Sequence, residues 1–452
     1  MKQPSSFSML HTLRLSTFQI GSAMGDILVT SIWNRIMITN FGMPATPVSL
    51  LIALRYLLSP LSLWAGFRSD TIPLFGLYRT SYIWLGRSLM VISLPLLGLS
   101  IGQFEGEQNL VLGWTLATIS SLMYGIGTLI SGSPYLALVR DSAPKERQGL
   151  AISTAETILI IFFAIAGISF SLWMEAYESR IFWQMILTII FVGGFFWFFA
   201  IYGAEKRAAK HKASVVDQSH LPQTKWLPAF QHIWRDPRTR LFFTFLSLAT
   251  LAAWMQDAIL EPFGGEVFNL PISRTTRLNS YWQGATVITL VGSAVLYRKR
   301  APEQQGTITQ VGLSLMALGL FSLGLAAMFD QVRLLELTLL IFGSGFGIYT
   351  FGGLSLMAVM TSDQEAGVYL GLWTISILIF KGLGTFLGGV LRDLLLLTLQ
   401  LDGSLSYGLI FILSAGGLAG SVVLLGRLDI LGFAQDTGRV TNRTEVQIGL
   451  SD

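Results

Sequence analysis

Long apolar runs recur from one end of the chain to the other, and short polar segments separate them. A helix needs about 20 residues to cross the hydrocarbon core of a bilayer, and twelve runs reach that length. Because the runs are continuous rather than alternating, they favour helices over a β-barrel. The pattern therefore predicts an all-α polytopic membrane protein with 12 transmembrane helices. The predicted spans are 15–34, 46–66, 80–101, 110–139, 149–173, 181–203, 241–262, 276–297, 307–328, 333–360, 366–391 and 407–426.

The segment 204–240 interrupts this pattern at mid-chain, because it holds eight Lys or Arg residues and three prolines. It predicts a linker between an N-terminal six-helix bundle (1–203) and a C-terminal one (241–430), with a tail at 431–452. Of the 30 Lys and Arg residues, 21 fall on the side of the termini and the linker, and 6 fall on the other side. By the positive-inside rule, both termini and the linker are expected in the cytoplasm.

Composition narrows the class of function. Only 12% of the 452 residues are charged and 52% are hydrophobic, which indicates lipid rather than water as the main solvent. The net charge of +4 lies in loops between spans, so we do not expect nucleic-acid binding. The chain has no cysteine, which excludes disulfides, thiolate metal sites and a Cys nucleophile. With no phosphate loop, zinc-type His pair or Ser/His/Asp set either, no enzyme is expected.

Two loops carry a further pattern. Gly66-Phe67-Arg68-Ser69-Asp70 resembles the Gly-x-x-x-Asp loop motif of the major facilitator superfamily, in which a small residue permits close helix approach and the carboxylate pairs with a nearby Arg. Thr71 replaces the usual basic residue, and Arg79 is the clearest later candidate. A second loop segment that resembles the superfamily pattern extends from Arg140 to Gly149, and a weaker counterpart extends from Thr361 to Gly367. Six spans, a linker and six spans together with these loops predict the two-bundle major facilitator fold. The predicted loop residues are Gly66, Arg68, Asp70, Arg79, Asp141 and Arg147.

Stretches spread along most of the chain resemble the PucC-like, bacteriochlorophyll delivery branch of that superfamily. The most specific is Gln256-Asp257-Ala258-Ile259-Leu260-Glu261-Pro262-Phe263-Gly264-Gly265-Glu266-Val267-Phe268. The others include Leu13-Arg14-Leu15-Ser16-Thr17-Phe18-Gln19, Asn34-Arg35-Ile36-Met37-Ile38, Gly66 to Thr71 with Tyr78-Arg79, Gly371-Leu372-Trp373 and Arg427-Leu428-Asp429. The chain departs from the family at Leu278 to Gly284, which follows its pattern only loosely, and at Lys381, where an apolar or small residue is expected.

The resemblance implies a membrane carrier or assembly factor that binds or delivers chlorophyll or bacteriochlorophyll to light-harvesting or photosystem proteins. Its partners would be those subunits and membrane lipids, and its place a photosynthetic membrane, intracytoplasmic or thylakoid. Two alternatives stay open. One is a proton-coupled secondary transporter of a small solute, which the general layout and the embedded carboxylates favour. The other is a structural subunit of a photosynthetic complex.

Polar side chains inside spans are costly and are the natural candidates for ligand or ion binding. The candidates are Gln256, Asp257, Glu261, Asp26, Arg55, Glu156 and Gln283. Asp257 and Glu261 lie four residues apart, so on one helix they share a face, and Pro262 and the following glycines loosen that helix. The structural alternative pairs these two carboxylates with Arg274 or Arg277.

Two further expectations concern charges and histidines. Asp26, Arg55 and Glu156 are expected to form a buried charge cluster, whereas Arg35 and Arg87 are expected to snorkel to the interface. None of the four histidines (His11, His211, His220 and His232) lies within a predicted span, and no metal site is predicted. A chlorophyll magnesium inside the membrane would therefore take a carboxylate, an Asn or Gln oxygen, a backbone carbonyl or water as its axial ligand.

Overall fold

The computed structural model describes residues 7–144, 147–205, 234–297, 305–360, 366–430 and 432–433. Four parts of the sequence analysis lie outside these residues: most of the predicted linker, nearly all of the predicted tail, Lys145, and residues 361–365 of the second-half loop segment. The regular elements of the described chain are helices, and the only bridge between extended residues joins Leu74 to Leu77 in a loop.

The first half consists of nine α-helices in which several spans are segmented. Span 1 combines α1 and α2 with two π-helical stretches, Leu28–Trp33 and Ile36–Asn40. Span 6 combines α8, a π-helical stretch at Ile189–Gly193, and α9. The α-helices are α1 (Met9–Ser16), α2 (Phe18–Ile27), α3 (Ala45–Leu57), α4 (Pro60–Thr71), α5 (Thr80–Phe104), α6 (Leu110–Asp141), α7 (Gln148–Trp173), α8 (Ser179–Thr188) and α9 (Gly194–Ile201).

The second half contains seven α-helices, and one of its spans is broken. Span 7 is divided between α10 and α11 by turns at residues 255–259. The α-helices are α10 (Pro237–Trp254), α11 (Leu260–Glu266), α12 (Ile272–Tyr297), α13 (Gln305–Met328), α14 (Leu335–Val359), α15 (Ala366–Asp393) and α16 (Gly403–Gly426).

Within the described residues, nine helices are long and apolar enough to cross a membrane. They correspond to the predicted spans 2 to 6 and 9 to 12. Predicted spans 1 and 7 are segmented as described above, and α12, which corresponds to span 8, is long enough but carries Arg274, Arg277 and Asn279. The three predicted spans without such a helix, spans 1, 7 and 8, carry five of the seven polar candidates, which are Asp26, Gln256, Asp257, Glu261 and Gln283.

The chain divides into two compact units, taken over the residues described. Unit 1 covers 1–212, 255–283 and 385–407, and unit 2 covers 213–254, 284–384 and 408–452. Large aromatic side chains, among them Phe18, Trp33 and Tyr135, are fully buried in unit 1. In unit 2, Phe242 meets Trp373 edge to face with 4.8 Å between ring centroids. The predicted bundle limits stay a prediction.

Glycine contacts allow the closest helix crossings, and they recur in both units. In unit 1, a Cβ on Gly86 of α5 would lie 2.4 Å from the carbonyl oxygen of Gly127 of α6, and one on Gly127 would lie equally near the Gly86 oxygen. In unit 2, a Cβ on Gly312 of α13 would lie 2.9 Å from the Gly345 oxygen, and one on Gly345 would lie 2.6 Å from the Gly312 oxygen. These are the third and fourth spans of each half, so the same contact is built twice, as duplicated halves require.

We therefore expect Gly127→Ala to destabilise the protein by ~1–3 kcal/mol, because backbone atoms rather than a flexible side chain must move aside. Thermal unfolding of the detergent-purified chain measures this effect. Gly132→Ala on the same helix is the matched control, because a Cβ there meets nothing within 4 Å. Equal melting temperatures for the two variants would contradict the role of the crossing.

Candidate functional site

The break in span 7 lies before Pro262, not after it as the sequence suggested. The backbone amides of Ile259 and Leu260 both donate to the Gln256 carbonyl oxygen, at 3.1 and 3.0 Å, which turns the chain before α11 begins. Pro262 is then the third residue of α11, where the first-turn amides need no partner within the helix and proline costs little. Asp257 therefore lies in the turn and Glu261 in the helix, so the expectation that they share one helical face is wrong.

Glu261 is fully buried. Its Oε1 accepts a hydrogen bond from Asn279 Nδ2 of α12, and Asn279 Oδ1 in turn accepts one from Trp282 Nε1 at 2.8 Å. Its Oε2 has no hydrogen-bond partner, although the Ser31 hydroxyl from span 1 faces the same carboxyl group. The carboxyl is thus held by neutral groups on one side and left open on the other.

Asp257 is half-buried, and its Oδ2 accepts a hydrogen bond from Thr385 Oγ1 at 3.2 Å. Among the described residues, neither Asp257 nor Glu261 forms an ion pair, and Arg277 Nε donates to Ser171 Oγ at 2.9 Å instead. The expected pairing with Arg274 or Arg277 is therefore wrong, because the turn and α11 direct these carboxylates towards uncharged partners.

The two glutamines among the candidates differ in burial. Gln256 is buried and its Oε1 has no hydrogen-bond partner, whereas Gln283 is half-buried on α12. Asn34 adds a polar group that the candidate set lacked. It is fully buried, its Nδ2 donates to the Ala258 carbonyl oxygen at 2.7 Å, and its Oδ1 has no partner. Side-chain oxygens without partners thus collect around the break in span 7.

A second polar cluster joins α2, α3 and α6. Arg55 Nη1 lies 2.6 Å from Asp26 Oδ1, and Tyr124 OH donates to that same oxygen at 2.9 Å. Arg55 and Tyr124 also line a small cavity. The volume that the centre of a water molecule can occupy there is about 10 Å³, which is roughly enough for one water. Glu156 does not join this pair. It is half-buried on α7, lies towards Tyr135, and makes no hydrogen bond or ion pair with the described residues, so the three-member cluster is reduced to two.

Arg35 and Arg87 do not snorkel, because both are buried in unit 1. Arg35 donates to Asn40 Oδ1 and, at 2.9 Å, to the Leu270 carbonyl oxygen. The Arg87 guanidinium lies over the rings of Phe18 and Trp197, 4.2 and 4.9 Å from their centroids. Aromatic faces attract a cation without needing a carboxylate, which explains how Arg87 remains inside the bundle.

Sequence reasoning missed a network that centres on Arg392, which we call the Arg392 network. Arg392 Nη2 lies 2.5 Å from Glu266 Oε1, and Arg392 Nη1 lies 2.9 Å from Asp393 Oδ1. Tyr407 OH donates to Glu266 Oε2 at 2.7 Å. The Asp393 oxygens accept from the Ala45 and Thr46 amides at 2.9 and 2.7 Å, so this carboxylate caps the first turn of α3. The available signals were Glu266 inside the family stretch and the Arg-Asp pair near the end of predicted span 11.

Three of the six predicted loop residues, Asp70, Arg79 and Asp141, form a second network, which we call the Arg79 network. Arg79 Nε donates to Asp70 Oδ1 at 2.8 Å, and Arg79 Nη1 donates to Asp141 Oδ2 at 2.5 Å and to the Ala137 carbonyl oxygen at 2.8 Å. Burial alone would lower the pKa of Arg79, but the hydrogen bonds to Asp141 and Asp70 outweigh it and raise the pKa. The guanidinium therefore stays charged.

Three further features belong to this loop region. The Glu205 carboxylate accepts from the amides of residues 78, 79 and 80 at 2.9, 3.1 and 2.9 Å, capping the start of α5. A Cβ on Gly66 would lie 2.7 Å from Ser133 Oγ, so α4 and α6 approach closely there. Arg68 and Arg147 are exposed and form no ion pair with the rest of the described chain.

Solved transporter structures share this fold. The chain superposes on tetrameric PepTSo2 with a TM-score of 0.68 at 13% identity, covering 94% of this chain and 99% of that one. A POT family transporter in complex with 5-aminolevulinic acid gives 0.66 at 14% identity over 95% and 96% of the two chains. The nucleoside transporter NupG gives 0.60 at 15% identity over 96% and 100%. The all-α major facilitator fold is therefore confirmed, and at these identities the likeness concerns the fold alone.

Characterised relatives match along most of their length. Protein PucC of Cereibacter sphaeroides is 29% identical over 429 residues, 91% of this chain and 90% of that protein. Protein PucC of Rhodovulum sulfidophilum is 28% identical over 393 residues, 84% of each chain. The bacteriochlorophyll synthase 44.5 kDa chain of Rhodobacter capsulatus is 28% identical over 414 residues, 89% of this chain and 91% of that one. The model of the PUCC protein family matches residues 32–433, and this integral membrane chain therefore belongs to that family.

Proposed function

We propose that the chain is a non-enzymatic carrier or assembly factor that binds or delivers chlorophyll or bacteriochlorophyll to light-harvesting or photosystem proteins. The observation that carries this proposal is the family match, which extends over residues 32–433. The Rhodobacter capsulatus relative is named as a bacteriochlorophyll synthase chain, which links a protein of similar length to this pigment. A transporter fold supports carriage rather than synthesis, because sites in such folds hold and release a ligand without changing its bonds.

The pigment would be cargo, and the break in span 7 offers a ligand of suitable chemistry. Magnesium prefers hard oxygen ligands, and a carboxylate supplies one. Asp257 fits best among the candidates, because it is half-buried and only its Oδ2 is hydrogen-bonded. Glu261, in contrast, is fully buried and too enclosed for a macrocycle to approach without rearrangement. Of the histidines, His11 lies at the start of α1, and the other three are outside the described residues.

The site of action that follows is a photosynthetic membrane, with the termini and the linker on the cytoplasmic side. The uneven distribution of Lys and Arg residues between alternate loops supports this orientation. The partners would be light-harvesting or photosystem subunits and membrane lipids. The Arg79 network would then lie on the cytoplasmic side and the Arg392 network on the opposite side.

The proposal predicts that the chain, purified from a pigment-producing host, carries a tetrapyrrole visible in its absorbance spectrum. Deletion of the gene should reduce assembled antenna, because pigment delivery would become limiting. A pigment-free protein together with normal antenna assembly in the deletion strain would contradict the proposal. Co-purification with a reaction centre at fixed stoichiometry would instead identify a structural subunit.

Asp257 provides a sharper test of how the pigment is held. Asp257→Leu removes both carboxylate oxygens at similar size, so we expect bound pigment per protein to fall about tenfold or more, the effect of losing a single ligand worth about 1.4 kcal/mol or more. Asp257→Asn keeps one oxygen ligand and serves as the matched control, with a smaller loss. The ratio of pigment to protein absorbance measures both. Pigment content in a folded Asp257→Leu variant equal to that of the wild type would exclude Asp257 as the ligand.

A further inference from the structure

Among the buried side-chain oxygens of unit 1 that have no hydrogen-bond partner, four lie on two short segments, 31–34 of span 1 and 256–261 of span 7. They are Ser31 Oγ and Asn34 Oδ1 of span 1, Gln256 Oε1 of the turn before α11, and Glu261 Oε2 of α11. Buried polar atoms in native proteins almost always have a partner, so several unpartnered oxygens from two adjoining segments require an explanation. All four atoms can accept a hydrogen bond; Ser31 Oγ also carries a hydrogen that it can donate, and Glu261 Oε2 becomes a donor when it binds a proton.

Two contacts connect these segments. Asn34 Nδ2 donates to the Ala258 carbonyl oxygen at 2.7 Å, and the Ser31 hydroxyl faces the Glu261 carboxyl. Ser31 and Asn34 are three residues apart and lie on one face of span 1. Their partners Ala258 and Glu261 are also three residues apart, so this face contacts both the turn and the start of α11. The close approach of Gly265 to Thr39, where an added Cβ would lie 2.8 Å from the threonine methyl, continues the same contact. The broken segment of span 7 is therefore seated directly on span 1.

The surroundings of Glu261 do not favour a negative charge. From α12 it meets Asn279, from span 1 it meets Ser31, and Asp257 of the preceding turn repels an ionised carboxylate. The buried Arg35 of span 1 packs against Gly265 of α11, and it donates to Asn40 Oδ1 and to the Leu270 carbonyl oxygen. Among the described residues no Arg or Lys forms an ion pair with Glu261. Ionised carboxylates that are fully buried without a counter-ion are costly, and such groups usually exist as the neutral acid.

We propose that Glu261 binds a proton, and that its protonation state controls how the broken span 7 packs against span 1. In the arrangement described here the carboxyl is neutral, Oε1 accepts from Asn279, and the hydrogen on Oε2 is donated to Ser31 Oγ. The proton comes from water and returns to water. Its loss places a second negative charge next to Asp257 and leaves a fully buried carboxylate with neutral donors and no counter-ion, so the segment from Met255 to Glu266 must move or admit water. This inference does not depend on the identity of the cargo.

Infrared difference spectroscopy of the full-length chain in nanodiscs tests the proposal directly. At neutral pH the wild type should show the carbonyl band of a protonated carboxylic acid, and Glu261→Gln should remove that band. Ser31→Ala should shift the band to higher wavenumber, because the acid hydrogen loses its acceptor. Glu178→Gln, at an exposed carboxylate, is the matched control and should leave the band unchanged. The proposal is overturned if the band is absent in the wild type or persists in Glu261→Gln.

Thermal stability gives an independent readout. A group that must be neutral in the folded state stabilises it at low pH and loses that contribution as the pH rises. The melting temperatures of wild type and Glu261→Gln should therefore agree at low pH and diverge at high pH, with the variant higher. If Glu261→Gln does not fold, the band shift in Ser31→Ala decides, and no shift overturns the proposal. Stabilisation of the wild type by sodium over potassium, lost in Glu261→Gln, would identify a cation site instead and also overturn it.

Discussion

The hydrocarbon core of a bilayer offers no water to a charged side chain, so every charge inside the protein needs a partner within it. Three buried charged residues of unit 1 differ in how they meet this constraint. Asp26 neutralises Arg55 with Tyr124 as an additional donor. Arg87 has aromatic faces in place of a carboxylate. Glu261 has neither, and this difference from its neighbours is what makes it a candidate for proton binding.

The Arg79 and Arg392 networks follow one design at two ends of unit 1. In each, one arginine contacts two carboxylates, which are Asp70 and Asp141 in the first and Glu266 and Asp393 in the second. In each, a carboxylate from a distant part of the chain also caps a helix, α5 through Glu205 and α3 through Asp393. A cap acts only while the two segments are adjacent, so each network ties helix stability to a particular arrangement of the chain.

The sequence was sufficient where the physical rule is local. Apolar run length predicted the all-helical fold, and the spacing of Gly66, Asp70 and Arg79 pointed to a loop in which a carboxylate meets a nearby arginine, which the structure places at 2.8 Å. It was insufficient where partners are far apart in the chain. Arg392 and Glu266 are 126 residues apart, and no local pattern relates them. The position of the break in span 7 was also misjudged, because a proline is compatible with a first turn as well as with a helix end.

The turn at residues 255–259 also determines how Asp257 and Glu261 differ. On one continuous helix, two carboxylates four residues apart would face one ligand and share one role. Because the turn at residues 255–259 separates them, Asp257 stays half-exposed beside Thr385 while Glu261 is enclosed against span 1. An accessible carboxylate suits a ligand that arrives and leaves, and an enclosed one suits a proton that biases a conformation. The broken helix thus gives two identical functional groups two different environments, one partly open beside Thr385 and the other enclosed against span 1.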